Sequence, residues 1–110
     1  MNRDKASLVQ ILERIERIDA SGVNRERFLA NSWDQDAVIR NLEIIGEAVK
    51  RLTAATKARM PDVPWADIAG FRDLAIHSYD KLDLLRTWTL VKKELPALKR
   101  LVRAHLAKMD

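Results

Sequence analysis

The sequence predicts an all-α, up-and-down bundle of four to five helices, formed by one domain covering residues 1–110. Three observations predict it. Apolar residues recur at spacings of three and four along most of the chain, and no segment sustains period-two alternation. With three glycines, three prolines and no Ser/Gly-rich linker, the 110 residues have little that would divide them, and they are enough to bury one core.

Each element has its own signal. In "RDKASLVQILERIERIDASG", Leu8, Ile11, Leu12, Ile15 and Ile18 make one apolar stripe, and Gly22 is the expected stop. A short segment around "NRERFLAN" offers Phe28 and Leu29 to the bundle. The longest pattern starts at Ser32, where Ser32 and Gln35 have capping-box spacing, and runs through "KARM". Its core stripe is Val38, Leu42, Ile45, Val49 and Leu52; its other face carries Asp36, Arg40, Glu43 and Glu47. Such a charged stripe is ordinarily a solvated face of i, i+4 pairs. Gly46 costs the helix about 1 kcal/mol relative to alanine, which predicts another backbone passing close to it. "PDVPW" ends the helix, with Asp62 or Asp67 as the next cap. "ADIAGFRDLAIHSYD" reads as a helix through Asp80, with a bend allowed at Gly70. From Leu84 to Leu106 an apolar helical period resumes, and Pro96 should open a new helix or kink a long one.

Composition narrows the function classes. No cysteine excludes disulfides and thiolate metal sites, and fits the cytoplasm. The N-terminus shows no signal-like apolar run, and no uninterrupted apolar segment approaches the roughly 20 residues that span a bilayer. Residues 1–70 balance eleven cations against eleven anions, so the net +4 resides in residues 71–110. A basic third suits phosphate or nucleic acid, and equally suits solvated helix surfaces. The amphipathic "VKKELPALKRLVRAHLAKM" could also bind a membrane surface through Lys92, Lys99, Arg100, Arg103 and Lys108, but its apolar face is needed to close the bundle.

The segment with the most chemistry is "GFRDLAIHSYDKLD". On a helical wheel Phe71, Leu74 and Ala75 share a core-facing arc. Arg72, Asp73, His77, Tyr79 and Asp80 fall off it, interrupted by Ile76. Asp73 and His77 are i, i+4 neighbours, so the carboxylate could orient the imidazole. Arg72 lies about 7.5 Å down the axis from His77 and about 140° around it. That is too far for a pair, but it suits an arginine holding a phosphate while the histidine works on a neighbouring oxygen. His105 is a surface candidate, and no histidine pair has metal-ligand spacing. Residue types alone leave both an ordinary surface helix and a catalytic face open.

"PWADIAGFRDLAIHSYD" resembles the signature of HEPN domains, and specifically of HepT-like toxins, through its Arg-x4-His-x-Tyr motif. "QDAVIRNLEIIGEAVKRL" and "TWTLVKKELPALKRLV" resemble the family's long helix and its C-terminal segment, in the same order. The resemblance implies a helical bundle that dimerises, needs no cofactor or metal, and cleaves RNA as an endoribonuclease. It also implies a toxin whose antitoxin is a minimal (MNT-type) nucleotidyltransferase. Carried over by position, Arg72 and His77 are the catalytic pair, Asp73 a supporting residue and Tyr79 the candidate for adenylylation. Because the resemblance includes "RNLEIIGEA", the stripe of Asp36, Arg40, Glu43 and Glu47, with Gly46, is expected to face the cleft or a subunit interface. Asp73 stands where a neutral polar residue, often asparagine, is usual, which adds negative charge beside the expected phosphate. A HEPN module that binds its nucleotidyltransferase, or a nucleotide, without cleaving RNA is the alternative.

Overall fold

The structure, a computed structural model, describes residues 3–109. In chain order the helices are α1 (Arg3–Ser21), α2 (Arg25–Ala30), α3 (Ser32–Arg51), α4 (Ala54–Ala58), α5 (Trp65–His77), α6 (Leu84–Thr89) and α7 (Leu95–Met109). A single 3-10 turn at Tyr79–Lys81 follows α5, and a π-turn at Leu90–Glu94 joins α6 to α7. Among the described residues there is no strand. The all-α bundle expected from the sequence is therefore present, with α1, α3, α5 and α7 as its long members.

Helix α3 is the axis of the packing: α1 lies along one side, α5 along another, and α7 packs on α1. Its stripe Val38, Leu42, Ile45 and Val49 is buried against Leu8, Ile11, Ile15 and Ile18 of α1. The short helices close the bundle where Phe28 of α2 stacks on Trp88 of α6, with ring centroids 5.2 Å apart. Lys92 Nζ lies over the same indole, 5.8 Å from its centroid. Leu95, Leu98 and Val102 turn the apolar face of α7 inward, while Lys99 and Arg103 bond Asp19 and Glu16 of α1. That face is used by the core, as expected, and no helix among the described residues is long and apolar enough to cross a membrane.

Helix boundaries differ from the sequence expectation in four places, each for a local reason. The cap of α3 is Asn31, whose side chain accepts from the Asp34 N–H, rather than Ser32. Gln35 does not complete a capping box; its amide donates to the Phe28 and Leu29 carbonyls and ties the end of α2 down. α3 ends at Arg51, well before the prolines, because Leu52 takes an extended conformation that buries its side chain. Thr53 then caps α4, and Asp4 accepts from the Thr53 N–H and from both the Thr53 and Thr56 hydroxyls. α5 starts after Pro64 with no side-chain cap, so neither Asp62 nor Asp67 has that role. It stops at His77, where Ser78 leaves the helical region (φ −147°, ψ 47°), so Tyr79 and Asp80 are not on its wheel. Leu74, expected in the core, is exposed, and Phe71 is half-buried. Gly22 ends α1 at φ 72°, where glycine adopts the left-handed conformation without strain.

Pro96 sits at the second position of α7, directly after the π-turn, in which the Leu95 N–H reaches back to the Leu90 carbonyl. A proline inside a helix lacks its donor and crowds the carbonyl four residues back. The wider turn lets the chain continue in one direction past it.

The Asp4 cluster makes a stability prediction. Burial pushes the Asp4 carboxyl up, but hydrogen bonds from the Thr53 and Thr56 side chains outweigh this and hold it below its ordinary value. A lowered folded value contributes stability above the ordinary carboxylate range that is lost as the pH falls through it. Asp4→Ala is expected to cost about 1.5–3 kcal/mol in urea unfolding at neutral pH, and Asp4→Asn to flatten the acid limb of the stability profile.

Candidate active site

The site forms along the seam of α3 and α5. The helices run antiparallel: Arg72 of α5 meets Glu47 of α3, and Tyr79, just past α5, meets Asp36 nearer the start of α3. The close approach at Arg72 depends on Gly46. A Cβ built on Gly46 would lie 2.4 Å from the Arg72 Cβ and 3.1 Å from the Ile68 carbonyl oxygen. Glycine is required here by contact across helices, as the sequence predicts, rather than by its own backbone angles.

Arg72 is held from both sides. Its Nη2 lies 3.7 Å from Glu47 Oε2, and its Nη1 donates to Asp73 Oδ1 at 3.2 Å. Lys50 Nζ donates to the same Asp73 oxygen at 2.8 Å, and Arg51 Nη2 lies 3.7 Å from Glu47 Oε1. Two carboxylates thus bridge three cations, leaving the cluster with one excess positive charge. Arg72 Nε is buried and has no hydrogen-bond partner among the described residues. Hydrogen bonds from Lys50 and Arg72 hold the Asp73 carboxyl below the ordinary range, so it is ionised at neutral pH.

These contacts correct one expectation. Asp73 does not orient His77; its carboxylate is given to Lys50 and Arg72, because the α3 cations lie on the Arg72 side of α5. His77 occupies the last turn of α5 with an exposed side chain that makes no hydrogen bond among the described residues. The imidazole is open to an incoming group.

Tyr79 lies beyond the helix, 44% exposed, and its hydroxyl donates to Asp36 Oδ1. Burial, the hydrogen bond to Asp36 and the nearby Asp36 and Glu43 charges push the phenol up to about 12. Tyr79 is the one tyrosine of the chain, so absorbance in the phenolate band reports it directly. A midpoint near 12 is expected, and Asp36→Asn should bring it down. Because the folded value is raised, this contribution to stability is complete below the ordinary tyrosine value of 10.0 and disappears as the pH rises through 12.

The charged stripe of α3 is therefore not simply solvated. Asp36 and Glu47 reach residues at or just beyond α5, while Arg40 bonds Glu43 at 3.1 Å within α3. Sequence reasoning missed Lys50 and Arg51, whose signal was only their place one turn beyond Gly46 and Glu47. His105 is half-buried on α7, the helix that packs on α1. A groove of about 590 Å³, lined by Asp67, Phe71, Leu74, Arg86 and Glu94, separates α5 from α6 and does not include Arg72 or His77. Among the described residues no group of three or more His, Cys, Asp or Glu side chains is arranged to hold a metal ion.

Fold and site define a helical-bundle protein in which an arginine and a tyrosine at or just beyond α5 contact α3, and a histidine at the end of α5 is exposed. The family described as "Ribonuclease HepT-like" matches residues 11–105. The chain is 38% identical over 96 residues to "Probable ribonuclease HepT" of Thermococcus cleftensis, covering 87% of this chain and 84% of that protein. It is 39% identical over 94 residues to "Putative RNase TTE0752" of Caldanaerobacter subterraneus, covering 86% and 82% respectively. It also aligns, 38% identical over 113 residues, with "Gamma-glutamylcyclotransferase and putative RNase MJ0434" of Methanocaldococcus jannaschii, spanning about half (51%) of that protein's length. No solved structure matches. The chain belongs to the HepT-like ribonuclease family.

Proposed function

We propose that this protein is an endoribonuclease that cleaves RNA by attack of a ribose 2′-hydroxyl on the adjacent phosphate. The observation that carries the reading is the pairing of a braced guanidinium with an open imidazole on one helix: Arg72 is fixed by Glu47 and Asp73, while His77 is exposed on the same α5. Membership of the ribonuclease family supports it. His77 takes the 2′-hydroxyl proton or returns one to the leaving 5′-oxygen, and Arg72 stabilises the charge growing on the phosphoryl oxygens. The P–O5′ bond breaks as the P–O2′ bond forms, leaving a 2′,3′-cyclic phosphate and a free 5′-hydroxyl. These steps use imidazole and guanidinium chemistry and require no metal.

α5 supplies one histidine. If acid and base are both imidazoles, the second comes from another copy of the chain, so the working unit is a homodimer with a composite cleft. The reading extends to a toxin whose partner is an MNT-type nucleotidyltransferase. In that pairing Tyr79 Oη attacks the α-phosphorus of ATP, pyrophosphate leaves, and the phenolic proton passes to Asp36, its hydrogen-bond acceptor. The exposure of the ring supports this role. The alternative, a non-catalytic module that binds the nucleotidyltransferase, draws on Asp73, whose ionised carboxylate occupies part of the Arg72 fork.

The test is product chemistry. Purified protein incubated with RNA in EDTA is expected to yield 2′,3′-cyclic or 3′-phosphate ends with 5′-hydroxyls and to leave DNA intact, since DNA lacks the nucleophile. Products bearing 5′-phosphates would overturn 2′-hydroxyl attack, and no cleavage by protein whose expression is harmless to cells would favour the alternative.

A further inference from the structure

Trp33, at the start of α3, is 82% exposed, more than any other large apolar side chain among the described residues. The other two tryptophans are used by the fold. Trp65 donates its indole N–H to the Lys57 and Met60 carbonyls, and Trp88 is buried against Phe28. An indole left in water has no such structural use.

Its position is specific. At about 100° per residue, Trp33, Arg40 and Glu47 lie within about 40° of one another on α3. Trp33 therefore shares the face that meets Arg72, roughly 21 Å along the axis from Glu47. Asp36, one turn on, holds Tyr79. Asp34, the residue after Trp33, and Arg40, two turns further on, belong to ion pairs that turn their cations outward and their carboxylates inward. In Arg40–Glu43 the side-chain exposures are 69% and 14%; in Arg27–Asp34 they are 53% and 17%. The surface beside Trp33 thus presents guanidinium groups, which attract phosphate, around a free aromatic face, on which bases stack irrespective of sequence.

We propose that Trp33 is a base-stacking subsite for single-stranded RNA, with Arg40 and Arg27 on the flanking phosphates, a few nucleotides from the bond facing Arg72 and His77. This rests on the ribonuclease reading for its substrate. It makes Trp33 a determinant of RNA affinity rather than a participant in bond cleavage.

The probe is a single-stranded oligoribonucleotide carrying 2′-O-methyl groups, which binds but cannot be cleaved. Its addition is expected to quench tryptophan emission of the wild-type protein, and Trp33→Phe should bind while losing the quench. Trp33→Ala should bind the probe about 5- to 150-fold more weakly. On cleavable RNA its KM should rise with kcat nearly unchanged. Equal binding of the probe by wild type and Trp33→Ala overturns the proposal. So does sedimentation showing that Trp33→Ala turns a dimer into a monomer, since the indole would then be covered by a second copy. Trp33-dependent binding without cleavage of natural RNA overturns the nuclease reading and leaves the stacking subsite standing.

Discussion

His77→Ala is expected to lower RNA cleavage by about 10²–10⁴-fold, the range lost with a positioned general acid or base. The fold should survive, because the side chain is exposed and makes no hydrogen bond among the described residues. Arg72→Ala should cost cleavage about 10²–10³-fold through lost charge stabilisation in the transition state. It differs in its structural consequence: it leaves Glu47 with Arg51 alone and Asp73 with Lys50 alone, and removes side-chain packing against Gly46. Arg72→Lys keeps the charge but not the planar fork that two carboxylates now position, so it should recover only part of the activity. The measurement is single-turnover cleavage of a labelled RNA, with circular dichroism confirming helix content. Full activity in His77→Ala would remove the imidazole from the mechanism.

Gly46→Ala is the second substitution with a large expected effect. In an exposed helix interior this change stabilises by about 1 kcal/mol. Here the added methyl would lie 2.4 Å from the Arg72 Cβ and 3.1 Å from the Ile68 carbonyl oxygen. Neither is the far end of a flexible side chain, so α5 has to move as a body. Overpacking of this kind costs about 1–3 kcal/mol, which cancels or exceeds the propensity gain. Displacement of α5 also pulls Arg72 from Glu47, and cleavage should fall with stability. Urea unfolding and RNA cleavage read the two effects separately; a variant as stable and as active as wild type would show that the α3–α5 contact is looser than described.

The helical class, the core stripe of α3 and the need for a small residue at position 46 were legible in the sequence, because each follows from local periodicity or from a cost that only close packing offsets. The Arg-x4-His-x-Tyr segment was legible as a resemblance, and the family match bears out the kinship. Hidden was the way carboxylates are shared. Sequence spacing paired Asp73 with His77, but Lys50 of α3, 23 residues earlier in the chain, stands 2.8 Å from it. Spacing along one helix describes only neighbours on that helix; which cation wins a carboxylate is decided by the helix packed against it.

The same limit explains the boundaries. The end of α3 at Arg51 depends on burial of Leu52 and on Asp4, a residue almost fifty positions away. Tyr79 leaves the wheel because Ser78 breaks the helix one residue before it. By itself the sequence determined which residues are apolar and at what period, and hence that helices form and which faces α1, α3 and α7 bury. Only the tertiary structure decided where α3 stops, which charges meet and which aromatic rings stay in water, since these depend on contacts between segments distant along the chain.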